Sequence, residues 1–388
     1  MELNCNTESA DNSLCCVYAY TGLDKQLNEC ICRHKSILYH VDHLQRTLFH
    51  LAVMGNQMKT LKMLLSFDAD QVNMQDKFGR TPLHWAAQKG RFEIVKLLLQ
   101  HGAKIDIQDN YGTLALQLST NNHKTLLCIL QHIDIKSQSV MLSNANSSHQ
   151  TFSSTPLIAS NCIQNYILDF ADSHERTALH WSAFYANAKN VKMLVEHGAT
   201  VDILDVDKKS PLHWAASSNK PQSVQCVKII LAKSSDMING QDYHGRSILH
   251  WAISDGTLEL VDYLCSLPAL EIDQVDNAFL TPLHWAAQLG FTLKLKILID
   301  NGADRGAKDK TNFTPIMYAS ANNHHFSFRM YHAFAMFCKV KEAKQSDGHG
   351  LQFAINQCDK CNKVKKKKKR NSVNIVEVKP EKNEVTVK

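Results

Sequence analysis

The chain has 388 residues, 44% hydrophobic and 21% charged, which suits either two or three ordinary domains or one solenoid. No apolar run is long enough to cross a bilayer, since the stretch from Phe334 to Phe337 is interrupted by His332 and Lys339, and the polar start Met1-Glu2-Leu3-Asn4-Cys5 does not read as a signal peptide. The net charge of +6 belongs to the tail: residues 341–388 hold 13 basic against 6 acidic side chains, leaving 30 against 31 in residues 1–340, which excludes a basic nucleic-acid face along the body. The 12 cysteines read as cytosolic thiols and not as a disulfide framework.

Residues 1–39 read as a leader that caps the elements after it. From there to residue 335 one hexapeptide recurs. Thr81-Pro82-Leu83-His84-Trp85-Ala86 is a full copy, and Thr281-Pro282-Leu283-His284-Trp285-Ala286 is another. All five tryptophans, Trp85, Trp181, Trp214, Trp251 and Trp285, occupy one slot of it. Copies start at Thr47, Thr81, Thr113, Thr177, Ser210, Ser247, Thr281 and Thr314, at intervals of 34, 32, 64, 33, 37, 34 and 33 residues. Such an array is a stack of one supersecondary unit. The interval of 64 reads as two periods, which predicts a hidden unit. Its remnant would be Thr155-Pro156-Leu157-Ile158-Ala159-Ser160 and Ile167-Leu168, behind an exposed Ser/Asn-rich loop from Ser137 to Ser154. The divergent unit and its loop thus span residues 137–176, and the total is eight or nine units.

Each copy is punctuated as a short helix. Thr or Ser offers a cap oxygen to unpaired amides, and Pro follows at the first helical position. A turn comes next, marked by Gly90, Gly256 or Gly290. The second helix carries apolar residues at helical spacing, as in Ile94, Val95, Leu98 and Leu99, and closes at pairs such as His101-Gly102 and His197-Gly198. An Asp-containing segment then leads to the next copy, as in Ile107-Gln108-Asp109-Asn110-Tyr111-Gly112.

A helix-turn-helix unit of 33 residues opening on Thr-Pro-Leu-His-x-Ala resembles the ankyrin repeat. The resemblance implies an all-α solenoid of eight to nine helix-turn-helix units, with projecting hairpin loops, a concave face and a disordered basic tail. Departures are Thr47-Leu48-Phe49-His50, which lacks Pro, Thr113-Leu114-Ala115-Leu116, which lacks Pro and His, and Thr314-Pro315-Ile316-Met317, with Met for His. The stretch from Arg176 to Gly302 is further similar to the inversin group of ankyrin proteins. Arg176-Thr177-Ala178-Leu179-His180-Trp181, Pro211-Leu212-His213-Trp214 and Gln241-Asp242-Tyr243-His244-Gly245-Arg246 carry that likeness. It implies a ciliary scaffold that organises other proteins and touches Wnt signalling.

The recurring His84, His180, His213, His250 and His284 cannot share a metal, because stacked helices sit about 10 Å apart. The resemblance implies instead that they buttress the loops between units. The tryptophans read as packing between units, since an exposed tryptophan ladder invites aggregation. The loop tips are the candidate partner-binding positions: Lys77, Phe78, Tyr111, Lys208, Tyr243, His244, Asn277 and Phe279. Their side chains serve either as binding hot spots or as packing between adjacent tips. The basic tail, residues 336–388, carries Lys365, Lys366, Lys367, Lys368, Lys369 and Arg370, a run that reads as an import signal, a membrane contact or a solvated tail. Cys358 and Cys361 are half a zinc site; Cys338 and His349 complete it only at irregular spacing, so no metal is assigned. Cys30-Ile31-Cys32-Arg33-His34 is a weaker pattern of the same kind.

No phosphate loop, nucleophile elbow, kinase set or His-Glu-x-x-His is present. The expected function is a non-catalytic scaffold: a monomeric array that takes no cofactor and binds other proteins, in the cytoplasm or at cilia. The alternative is a nuclear regulator imported through its Lys-rich tail.

Overall fold

The computed structural model describes residues 5–145 and 166–322, with side chains described for 13–135 and 166–322. Within them, helices stack in antiparallel pairs. The first pair is α1 (Cys5–Thr21) and α2 (Asp24–Arg33); α1 packs on α3 and α2 on α4, where α3 (Leu48–Gly55) and α4 (Met58–Phe67) form the first motif-bearing unit. There follow α5 (Pro82–Gln88) with α6 (Phe92–Gln100), and α7 (Ala115–Leu118) with α8 (His123–Ala145). Beyond the insert come α9 (Ala178–Phe184) with α10 (Ala188–Glu196), and α11 (Pro211–Ala216) with α12 (Ser223–Lys233). The last are α13 (Ile248–Ser254) with α14 (Leu258–Cys265), α15 (Pro282–Leu289) with α16 (Thr292–Asp300), and α17 (Pro315–Ala321). The leucine two residues before each tryptophan slot, as in Leu83, Leu179, Leu212, Leu249 and Leu283, is fully buried. Each such side chain contributes about 1.5–3 kcal/mol by leaving water.

The start of each first helix shows why these residues make this unit. Thr81 is extended (φ −84°, ψ 166°), and Pro82 opens the helix without wasting an amide hydrogen. His84 Nδ1 accepts the Thr81 backbone N–H at 3.1 Å, which leaves Nε2 to donate to the Thr113 carbonyl of the next unit at 3.1 Å. The same bracket joins His50 to Arg80, His180 to Lys209, His250 to Leu280 and His284 to Phe313. His213 reaches Gly240 instead, within the longer 37-residue unit. Burial disfavours the charged ring and pushes these imidazoles down, to about 4 for His180 and His213.

The turns between paired helices are bridged by the unit that follows. Arg91 donates to the Val53 carbonyl, Lys220 Nζ to that of Tyr185 at 3.0 Å, and Lys294 Nζ to those of Ala252, Ile253 and Gly256 at 2.7–3.0 Å. Cations thus meet the negative ends of first helices in the unit before them.

The middle of the array differs from the period arithmetic in three ways. First, α9 packs directly on α7, and α10 on α8. The Ser173 N–H donates to the Tyr111 carbonyl at 2.9 Å, and Asn190 Nδ2 to that of Thr120 at 2.7 Å. The unit before the insert is therefore the immediate neighbour of the Thr177 unit, and the expected unit between them does not separate the two. Its proposed hexapeptide, Thr155 to Ser160, lies outside the described residues. Among the described residues eight motif-bearing units result, and a further helix pair, α1 with α2, precedes them. Second, the cap slot falls on Leu114 and not on Thr113. In every unit this slot lies five residues after a tip aspartate, Asp76 to Thr81 for example, and buried Asp109 sets it at Leu114. Gln117 then stands in for histidine: its Oε1 accepts the Leu114 N–H at 2.6 Å and its Nε2 donates to the Phe170 and Arg176 carbonyls at 3.0 and 2.9 Å. Third, the loop expected from Ser137 begins as helix. α8 runs 23 residues to Ala145, against 8–11 for the other second helices of the motif-bearing units, because nothing from His123 to Ala145 is Gly or Pro.

Candidate functional site

The tips are built around their aspartates. Asp76 Oδ1 accepts the backbone N–H groups of Phe78 and Arg80 at 2.8 and 2.9 Å, and Asp42, Asp109, Asp172, Asp205, Asp242, Asp276 and Asp309 repeat the pattern. The other oxygen receives the aromatic nine residues on. Trp85 Nε1 donates to Asp76 at 2.9 Å, Trp214 to Asp205 at 2.8 Å, Trp251 to Asp242 at 3.1 Å and Trp285 to Asp276 at 3.0 Å. Tyr318 Oη does the same to Asp309 at 2.7 Å. These four tryptophans are thus half-buried: they pack on the core and tie their hairpins to their helices. The aspartates were not singled out in the sequence, although their constant nine-residue lead over the tryptophans is visible there.

Successive tips are joined through their backbones. Lys77 N–H donates to Leu44 O at 2.9 Å, Asn110 to Phe78 at 2.9 Å, Val206 to His174 at 3.1 Å, Tyr243 to Asp207 at 2.7 Å and Asn277 to His244 at 2.9 Å. The result is a continuous ridge. Its eight candidate residues, Lys77, Phe78, Tyr111, Lys208, Tyr243, His244, Asn277 and Phe279, all lie exposed on it, with Tyr243 63% and Phe279 51% accessible. Lys208 and Phe279 also hold left-handed backbone, φ 58° and 63°, at the tip position that Gly79 and Gly245 fill elsewhere.

The Thr177 unit breaks the pattern. Asp172 Oδ2 is held by Arg176, whose Nε and Nη2 sit 3.0 and 2.9 Å away, and Trp181 makes no bond to it. The Arg176 guanidinium lies 4.5 Å over the Trp181 ring. That ring faces Phe184, Tyr185 and Trp214 at 6.4, 6.2 and 5.7 Å, and Phe184 meets Trp214 at 5.4 Å.

The periodic histidines have both ring nitrogens engaged and offer no lone pair to a metal. Among the described residues no group of three or more His, Cys, Asp or Glu side chains is placed to hold a metal ion, and Cys30 and Cys32 are free thiols. No described helix is long and apolar enough to cross a membrane. The Lys365–Arg370 run and the Cys358–Cys361 pair lie outside the described residues.

The family described as Ankyrin repeats matches residues 24–109, 49–139, 200–276 and 268–330, and a single ankyrin repeat matches residues 174–206. The chain belongs to the ankyrin repeat family. Its matches stop at residue 139 and resume at 174, on either side of the insert. The chain is similar to inversin of Canis lupus familiaris and of Homo sapiens, 34% identical over 240 residues, covering 61% of this chain and 20% of each relative. It is also similar to human transient receptor potential cation channel subfamily A member 1, 28% identical over 261 residues, 67% of this chain and 21% of that protein. The chain thus spans about a fifth of the length of these relatives.

Proposed function

We propose that this ankyrin array is a non-catalytic scaffold whose tip ridge and first-helix face bind partner proteins, in the cytoplasm and at cilia or the cytoskeleton, in Wnt-type signalling. One observation carries the binding role: the tips share a hydrogen-bonded backbone while their exposed side chains differ from unit to unit. A rigid frame with variable side chains lowers the ordering cost of recognition. The similarity to inversin supports the ciliary setting. A full-length chain fused to a biotin-transferring tag tests the binding role. Tyr111→Ser, Tyr243→Ser and Phe279→Gly together should keep the urea midpoint near wild type and strip most labelled proteins from the set. A labelled set untouched by the triple change would sink binding through the tips.

The run Lys365 to Arg370 favours a second role, a nuclear regulator imported through this tail. Imaging of the tagged chain with and without residues 363–370 separates the two. A nuclear signal lost with the run supports import. A ciliary or cytoplasmic signal in both forms removes it.

A further inference from the structure

Two residues separate the face of the Thr177 unit from the others. At the seventh and eighth positions after the cap this unit carries Phe184 and Tyr185, where its neighbours carry Asn121 and Asn122 on one side and Ser217 and Ser218 on the other. Phe184 is 42% exposed, and Trp181 and Tyr185 are half-buried without joining the core cluster. Trp181, Phe184, Tyr185 and Trp214 therefore form one aromatic island, and the units on either side carry small polar residues at its two slots. Apolar anchors inside a polar rim are the anatomy of an interface hot spot.

Two cations touch this island, while its carboxylate neighbour Asp205 is engaged by the Trp214 indole N–H and two backbone amides. Arg176 covers Trp181, and Lys220 Nζ sits 5.4 Å from the Tyr185 ring centroid. The Arg176 charge is tied to buried Asp172, whereas Lys220 donates to the Tyr185 carbonyl, which is neutral. Lys208 stands exposed on the next tip. Every other unit that carries the slot tryptophan ties its indole N–H to an aspartate; Trp181 is released from that bond.

We infer that the island between the Leu114 and Ser210 units docks an acidic protein segment bearing one large apolar side chain. That side chain covers Phe184 and the edge of Trp181, and flanking carboxylates meet Lys220 and Lys208. The inference rests on the scaffold role above and gives it a place and a chemistry. A single-stranded nucleic acid also stacks on aromatics beside cations, but residues 1–340 carry 30 basic against 31 acidic side chains and supply no track for a phosphate backbone.

The test uses the full chain and fluorescein-labelled probes read by anisotropy. They are a short Glu/Asp peptide with one central Phe, the same peptide with Ala for Phe, its Lys-for-acid counterpart, and a thymidine oligonucleotide. The Phe-containing acidic peptide should bind best and weaken with salt. Phe184→Ser, which installs the side chain of Ser217 at the same slot, should lower its affinity roughly tenfold or more, and Lys220→Gln several-fold. Phe184 is exposed, so its variant should keep the wild-type urea midpoint. If the Ser variant loses its fold, Lys220→Gln and the Ala peptide still decide the matter. Equal binding of the Phe and Ala peptides, unchanged affinity in both variants, no binding, or tighter binding of the oligonucleotide would each overturn the inference. Biotin labelling of partners by wild type alongside a failed peptide arm would remove this site alone. Absence of both would remove the scaffold role with it.

Discussion

The C-terminal units and the central junction solve the same stacking problem with different side chains. From Ser210 onward each unit ties its tip aspartate to the aromatic nine residues on, and His250 and His284 reach into the next unit while His213 reaches Gly240 in its own longer one. At the junction Gln117 takes the histidine's place, Leu118 the tryptophan's, and Trp181 is free of Asp172. An amide serves as well as an imidazole because the requirement is one acceptor and one donor on opposite sides. Tip order also survives without the tryptophan bond, since Asp172 still accepts two backbone amides at 2.9 and 3.1 Å. The repeat thus has a framework it always keeps and a bracket it can relax.

The two regions should part most sharply in acid. The flanking imidazoles are held neutral by burial, so their folded pKa lies below the ordinary 6.5, at about 4 for His180 and His213. The unfolded chain takes up protons below pH 6.5 while the folded one does not. Stability is therefore complete above that value and drains away as pH falls toward 4, by about 3 kcal/mol for each of these two rings. Gln117 does not titrate. Urea midpoints measured across this window should fall steeply, and His213→Gln should flatten the slope by about one proton. A midpoint that holds steady from pH 6.5 to 4 would break the account of neutral brackets.

Next in size is Gln117→Leu. It leaves the Leu114 amide and the Phe170 carbonyl without their partner and takes one of two donors from the Arg176 carbonyl, which keeps the Asp172 N–H. The expected cost is about 3–5 kcal/mol, at about 1–3 for each group left unsatisfied. In a linear array that loss falls on one interface, so urea unfolding should split into two phases. A single transition at the wild-type midpoint would show that the junction does not depend on this amide.

The tryptophan pair gives a smaller, paired effect. Trp214→Phe deprives buried Asp205 of a donor at 2.8 Å and should cost about 1–2 kcal/mol beyond its lost area. Trp181→Phe removes no such bond and should cost less than half as much in urea titrations read by circular dichroism. Equal costs would place the stabilisation in area alone.

These contrasts mark what could be read from the chain and what could not. Thr81, Pro82, His84 and Trp85 are local and announce a helix start unaided. The Asp76–Trp85 lead of nine residues is just as regular and could have been read from spacing. The junction was opaque for a physical reason. With Leu114 and Gln117 in the cap and histidine slots, only the buried Asp109 fixes the register, and a motif search follows Thr113 instead. Counting residues likewise turned an interval of 64 into two units, whereas the contacts of α9 with α7 make it one unit and an insert. The release of Trp181 is not encoded by residue types, since Arg246 grips Asp242 and covers Trp251 in the same way while Trp251 keeps its bond.

The least of the expected changes runs opposite in sign to the rest. Phe279 holds φ 63° at a tip position where Gly245 sits at φ 75°. A left-handed backbone costs a residue with a Cβ on the order of 1–2 kcal/mol, while a glycine gives back about 0.5–1 in unfolded-chain entropy. Phe279→Gly should therefore raise stability by about 0.5–1 kcal/mol, visible as a shift of the urea midpoint. About half of the residue is already in water, and the Lys310 ammonium lies 5.3 Å from the ring centroid. A strained aromatic that does not stabilise its own fold is the signature of a residue kept for contact with something else. If Phe279→Gly binds labelled partners as wild type does while gaining stability, that explanation is gone. If stability falls instead, the ring packs on the neighbouring tip after all, and the ridge between Tyr243 and Lys310 is closed to partners.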